Sequence, residues 1–200
     1  MIITYQEENY FKIQSGDKTI LIDPTNQRSM KGASVVIYTS ATEKDMESSF
    51  TEGGAGSFVS IWHQGEYEIG GIHVRGWSID NESEKEKTMY KIQWDDISIG
   101  VLGFLTKELD TKTLFTLQET DILIAPAGGK PYLQQSSIAK YVRQLEPGII
   151  IPSLFGDLKL FLKELGAEEV KPEEKLTIKK KDIVDNAMKV VVLSPTTSGK

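Results

Sequence analysis

The 200-residue chain suits one large domain with a substantial buried core, and its 39% hydrophobic and 26% charged residues are those of an ordinary soluble globular protein. A net charge of −6 works against a polyanionic partner, and no stretch approaches the roughly 20 apolar residues that span a bilayer, so neither nucleic acid nor membrane is an expected partner. Cysteine is absent, which excludes disulfides and thiolate ligands; with no basic-then-apolar leader at the N-terminus, the expected location is the cytoplasm.

The first half reads as strands. Tyr10–Gln14 alternates, and Lys18–Asp23 follows it after the turn signal Ser15-Gly16-Asp17. Ala33–Thr39 is a continuous apolar run, so a strand buried on both faces is expected. Ser57–Trp62, Gly71–Trp77, Thr88–Trp94 and Ile97–Gly103 continue the series, with Asp95-Asp96 turning between the last two. Two polar interruptions, Thr42–Gly56 and Asp80–Lys87, separate them. The glycine-rich Glu52–Ser57 lacks the Lys-Ser or Lys-Thr of a phosphate-binding loop and reads as a connector.

The second half alternates helix and strand. Thr106–Leu117 reads as a helix capped by Thr106. Asp121–Gly129 is a buried strand. Gln135–Leu145 sets Ile138, Val142 and Leu145 on one helical face. Gly148–Ser153 is another strand, and Asp157–Gly166 a helix with an Asp cap and a terminal glycine. Lys189–Leu193 closes the series. The basic run Lys179–Lys181 has acidic residues close before it and reads as a solvated face.

The ordered set "KIQSGDKTILIDP", "VVIYTSATEKD", "GEYEIGGIHVRG", "GVLGFL", "DILIAPAGG", "AKYVRQLEPGIIIPSLF" and "KVVVLSP" resembles the metallo-β-lactamase-fold hydrolases. It is most similar to the small single-domain branch related to ascorbate-6-phosphate lactonase. The resemblance implies an α/β fold, a four-layer αββα sandwich, with a metal site on the loops at one edge of the two sheets. It implies one domain over 1–195 and a flexible tail over 196–200. Asp23 and Pro24 of "LIDP", and Gly65 and Glu66 of "GEYEI", match the family scaffold.

In that family the strand matching "VVIYT" is followed by His-x-His-x-Asp-His. Another histidine sits near the strand matching "HVRGW", a bridging aspartate ends Leu-Gly-Asp, and a last histidine follows Ile-Pro-x. Imidazoles and carboxylates of that kind bind zinc ions and turn a bound water into hydroxide near neutral pH. Carried over by the resemblance, the histidine positions fall on Ser40, Thr42, Asp45 and Leu154. The two aspartate positions fall on Lys44 and Phe104. Nothing between Trp77 and Asn81 supplies the remaining histidine. The chain has two histidines in all, His63 and His73, and neither stands at a ligand position. A lysine ammonium at Lys44 would repel a dication. Phe104 and Leu154 would fill the metal cavity with apolar volume. The expectation is a kept scaffold with the zinc lost, no cofactor, and a binding role toward a protein partner, a second copy or a small ligand.

Other readings of the same residues stay open. Asp23 and Asp45 could together hold Mg²⁺ or Ca²⁺ or share a proton; the bland reading gives Asp23 a loop hydrogen bond and Asp45 a partner in Lys44 or solvent. His63 beside Glu66 could form an acid/base pair, and a loop histidine with an ordinary partner is the commoner case. Ser40 with Lys44 is conceivable as a nucleophile and base, although the spacing is one residue longer than Ser-x-x-Lys. His73 reads as a half-exposed strand residue, and the three tryptophans as core or sheet-face residues. A hydrolase with a non-standard metal site, or with acid/base work by Asp45, Lys44 or His63, is the alternative function.

Overall fold

A computed structural model gives the structure of the protein, and it describes residues 1–25, 30–42, 58–80, 84–167, 169–184 and 187–196. Lys44, Asp45 and the glycine-rich Glu52–Ser57 lie outside the described residues.

Two sheets stack face to face. The first runs from β1 (Ile2–Glu7) through β2 (Tyr10–Ser15), β3 (Lys18–Ile22) and β4 (Val35–Ile37) to β6 (Val59–Ile61). The short β13 (Leu176–Thr177) pairs with the free side of β1. The second sheet starts with β7 (Gly65–Ile69), β8 (Ile72–Asp80), β9 (Glu86–Trp94) and β10 (Ile97–Val101), an antiparallel meander. It continues in parallel through β11 (Ile122–Pro126), β12 (Ile149–Ser153) and β14 (Lys189–Val190). The two-residue β5 (Ser40–Ala41) leaves the first sheet to pair with β9 of the second.

Side-chain alternation explains the stacking. Ile3, Phe11, Ile13, Ile20 and Ile37 of the first sheet meet Val74, Tyr90, Ile92, Ile122 and Ile151 of the second in one core. The opposite face of the second sheet (Met89, Leu123, Ile150) is covered by α1 (Thr111–Phe115), α2 (Gln135–Leu145) and α3 (Lys159–Glu164). On the outer face of the first sheet Tyr10, Leu21, Ala33 and Val36 form a small cluster with Met30, Tyr38 and Phe58. The β10, β11 and β12 sequences are buried throughout, as continuous apolar runs require.

Several boundaries differ from the sequence expectation. The helix expected over Thr106–Leu117 begins at Thr111, because Asp110 is its cap: the Asp110 Oδ1 accepts the Thr113 N–H at 2.9 Å. Thr106 is bound elsewhere, to Lys87. Glu108 accepts from Ser137 and Tyr141, and the Leu109 N–H donates to Tyr141, which holds that stretch extended across α2. The helix expected from Asp157 spans Lys159–Glu164, with Gly166 in the left-handed region at φ 69° just beyond it. The polar interruption expected over Asp80–Lys87 is shorter, since β8 reaches Asp80 and β9 starts at Glu86. Thr196, placed in the expected tail, bonds to the Tyr5 carbonyl through both its N–H and its hydroxyl.

The two sheets meet tightly just past β4 and β10. A Cβ built on Gly103, just past β10, would lie 2.5 Å from the Thr39 Cβ, just past β4. Gly103 also has φ +61°. Gly103→Ala should therefore cost about 2 to 4 kcal/mol in denaturant unfolding. Gly156→Ala, where nothing lies within 4 Å, should stay within about 0.5 kcal/mol of the parent.

Candidate functional site

Asp23 and Ser40, two of the polar side chains that the sequence singles out, flank the point where Thr39 meets Gly103. Asp23 directly follows β3 with φ +45° and donates its N–H to the Ile37 carbonyl at 2.8 Å. Its Oδ1 accepts the Thr39 N–H at 2.7 Å. Its Oδ2 accepts the Thr39 hydroxyl and the Asn9 side-chain amide, each at 2.6 Å. Burial pushes the Asp23 carboxyl up to about 6, against the pull of the Thr39 and Asn9 hydrogen bonds. Sequence reasoning missed Asn9, which has no motif; it is 1% exposed at the β1–β2 turn, and its Oδ1 meets no donor.

From Thr39 the chain enters β5, where Ser40 lies opposite Lys87 and Ala41 opposite Glu86. Directly opposed residues share a face. The β9 side chains therefore sort by alternation. Glu86, Thr88 and Tyr90 point toward the first sheet: Glu86 meets the His63 Nδ1 at 2.9 Å, Thr88 donates to the Trp62 carbonyl, and Tyr90 donates to the Tyr38 carbonyl. Lys87 and Met89 point the other way, Met89 into the helix-covered core. Ser40 is on the Lys87 face and His63 is on the Glu86 face. The strand separates the serine from the histidine that would have to activate it.

Lys87 is the centre of an ionic cluster. Its ammonium lies 3.2 Å from the Asp80 Oδ2 and donates to the Thr106 hydroxyl at 2.9 Å. The Lys107 ammonium reaches the other Asp80 oxygen at 3.3 Å. A β-bulge between Ser78 and Asp80 sets this up. Regular pairing after Ser78–Thr88 would put Asp80 opposite Glu86; the extra residue puts it opposite Lys87. A like-charge pair becomes an ion pair, with side chains 5% and 15% exposed.

The remaining sequence candidates are scattered. Phe104 is half-buried, with its ring 6.1 Å from that of Tyr132. Leu154 is buried in the left-handed region at φ 51°, its N–H donating to the Glu8 carbonyl at 2.8 Å. Ser153 beside it has a buried hydroxyl that meets no partner among the described residues. Thr42 is half-buried beyond β5. Of the two readings of His63, the pair with Glu66 is not formed: Glu66 pairs with Arg75 at 3.1 Å across the β7–β8 ladder, and His63 takes Glu86 from a distant strand. Gly65 opens β7, and Pro24 is buried directly after Asp23. His73 is exposed, 4.0 Å from Glu68. Trp62 and Trp94 are core residues, and Trp77 is half-buried under the Arg75 guanidinium. In the basic run, Lys180 pairs with Asp121 at 2.7 Å.

A β-lactamase superfamily domain model matches residues 2–153. The chain belongs to the β-lactamase superfamily. Solved structures of the metallo-β-lactamase fold agree in architecture. A protein from Thermotoga maritima described as a Zn-dependent hydrolase of the metallo-β-lactamase superfamily is 20% identical, with 96% of this chain and 97% of that chain covered at a TM-score of 0.74. The metallo-β-lactamase fold protein YhfI from Bacillus subtilis is 10% identical over 97% of this chain and 96% of its own, at 0.67. An isothiocyanate hydrolase from Delia radicum gut bacteria is 12% identical over 98% and 97%, at 0.63. At these identities the likeness is one of fold. No curated protein matches the chain.

Zinc takes imidazole, thiolate and carboxylate donors. The described positions that the resemblance aligns with metal ligands carry two hydroxyls, a phenyl ring and an isobutyl group: Ser40, Thr42, Phe104 and Leu154. That donor set does not fit zinc. The Asp23 carboxylate is turned onto Thr39 and Asn9 instead.

The Asp23 carboxyl gives a pH prediction. Its folded value of about 6 lies above the ordinary 3.8, so the folded chain holds the proton more tightly. The resulting stability is fully present below about pH 4 and is lost as pH rises through about 6. Asp23→Asn removes this dependence, and its amide can meet the free Asn9 Oδ1 if the Asn9 amide turns over. Between pH 4 and 7 the variant should gain on the parent by on the order of 2 kcal/mol in urea unfolding. Parallel stability curves would contradict the assignment.

Proposed function

We propose that this chain is a catalytically inactive member of the β-lactamase superfamily, its zinc site lost, that works in the cytoplasm as a binding module. Its place is in the branch similar to ascorbate-6-phosphate lactonase. Its partner is another protein, a second copy of the chain or a small ligand held at the remodelled edge, with no nucleic acid or membrane involved. The observation that supports this reading is the side-chain chemistry at Ser40, Thr42, Phe104 and Leu154. Hydroxyls and hydrocarbon there give no strong ligand for a zinc ion and no way to make a metal hydroxide. Lys44 in the same segment adds a positive charge, which disfavours a dication.

One observation favours a second reading, a metal-free hydrolase. The His63 Nδ1 is held at 2.9 Å by Glu86, the geometry of a carboxylate-oriented general base. Ser40 faces Lys87, on the other side of the ladder, and the Thr88 hydroxyl on the Glu86 side is already given to the Trp62 carbonyl. The pair would need to activate water.

Metal content by mass spectrometry separates these from an active zinc enzyme. Protein expressed with zinc and purified without chelator should carry no stoichiometric metal and melt at the same temperature with and without EDTA. Near-stoichiometric zinc with an EDTA-sensitive melt would contradict the proposal. Hydrolysis of lactones or phosphodiesters by metal-free protein, abolished in His63→Ala, would favour the second reading instead.

A further inference from the structure

The β7–β9 meander bears a cavity of about 400 Å³ lined by charged and polar side chains. Strand register sets six of them in two rows. Glu66, Arg75 and Lys91 oppose one another across β7, β8 and β9, and Glu68, His73 and Gln93 form the next row. Directly opposed residues share a face, and rows two residues apart along a strand are about 7 Å apart. Arg75 and Lys91 are like charges directly opposed, an arrangement that destabilises a bare sheet. Arg75 is held from two sides: its Nε lies 3.1 Å from a Glu66 oxygen, and its guanidinium carbon 5.1 Å from the Trp77 ring centroid. Among the described residues its two terminal nitrogens donate no hydrogen bond. Lys91 donates to the Gln118 carbonyl and has no ion-pair partner among the described residues. Burial pulls its ammonium below the ordinary pKa, against the fields of Glu119 and Asp121, and Asp121 is itself paired with Lys180. In the second row Glu68 approaches His73 at 4.0 Å, and the Gln93 amide makes no hydrogen bond among the described residues.

The cavity thus sets two cations in one row and a weakly engaged carboxylate in the next, with an imidazole and an amide beside that carboxylate. Glu66 and Glu68 balance Arg75 and Lys91, so the lining suits a ligand whose own charges also cancel. We propose that this cavity binds a small zwitterion of dipeptide length, its carboxylate on Arg75 and Lys91 and its ammonium on Glu68. The Arg75 fork, held by Glu66 and Trp77, can take a carboxylate on two parallel hydrogen bonds. An extended dipeptide spans about 7 Å, the spacing of the two rows. Gln93 offers a donor and an acceptor to the peptide group between the charges. The volume falls within the roughly 300 to 1,000 Å³ of small-molecule sites. The cavity is separate from the Asp23–Thr39 edge: Lys91 lies about 13 Å along β9 from Lys87. It does not rest on the loss of zinc.

The probe is glycylglycine at pH 7, where both ends are charged, titrated at constant ionic strength and followed by amide NMR. The expected result is saturable shifts at Glu68, His73, Arg75 and Lys91. Acetate and ethylammonium each carry one of the charges, and glycine holds both too close together to reach the two rows. Each of these should bind about fivefold or more weakly. Arg75→Gln and Glu68→Gln should each weaken glycylglycine by about fivefold, and both side chains are exposed, so the variants should fold. Arg143→Gln, on α2, should leave the titration unchanged. No saturable shift with glycylglycine overturns the site. Acetate or glycine binding as tightly as glycylglycine overturns the zwitterion assignment, as does undiminished binding in both the Arg75→Gln and Glu68→Gln proteins. Metal content tests the zinc reading separately.

Discussion

The Asp23 carboxylate is the interaction on which the candidate site depends. It ties the β1–β2 turn, through Asn9, to the end of β3 and to Thr39 beyond β4. Thr39 is in turn pressed against Gly103 of the second sheet. One side chain therefore fixes where the first sheet stops, where β5 starts, and how closely the two sheets approach at that edge. The arrangement leaves a carboxylate enclosed with neutral donors only, and its raised proton affinity is the consequence. It is a structural use of an acidic group.

Alternation along the strands sorts the side chains beyond β5. Because Ser40 opposes Lys87, the serine is on the helix side of the ladder, and the His63–Glu86 pair is on the other. A one-residue slip would reverse both. The ladder thus puts Ser40 and the His63–Glu86 pair on opposite faces, while the bulge before Asp80 gathers a lysine, a carboxylate and the Thr106 hydroxyl into one corner. Lys87 there is held by Asp80 and the Thr106 hydroxyl.

Much of the fold is legible in the sequence. The continuous apolar runs at Val35–Ile37, Ile122–Pro126 and Ile149–Ser153 become buried parallel strands, and Asp95-Asp96 turns the hairpin between β9 and β10 with both residues in the left-handed region. Gln135–Leu145 is a helix over the very residues that its apolar face marks. The helix start at Thr106 was not legible, because two caps compete and only the tertiary contact of Thr106 with Lys87 decides between them. The site was less readable than the fold. The resemblance points to Ser40 and Asp23, yet Asn9, Asp80, Glu86 and Lys87 carry no local pattern. Their meeting depends on strand register and on a bulge, and neither is a property of a short stretch of chain. Glu66 was the nearest carboxylate to His63 in sequence, and Glu86 is the partner in space.

We propose that this edge of the fold takes no zinc, since Ser40, Thr42, Phe104 and Leu154 offer it hydroxyls and hydrocarbon. Anomalous diffraction at the zinc absorption edge, on crystals grown from protein saturated with zinc, tests it most directly. The expected result is no anomalous peak within bonding distance of Ser40, Asp23, Phe104 or Leu154, and an intact Lys87–Asp80 pair. A strong peak at that edge, ligated by Asp23 or His63 with Lys87 displaced, would contradict it.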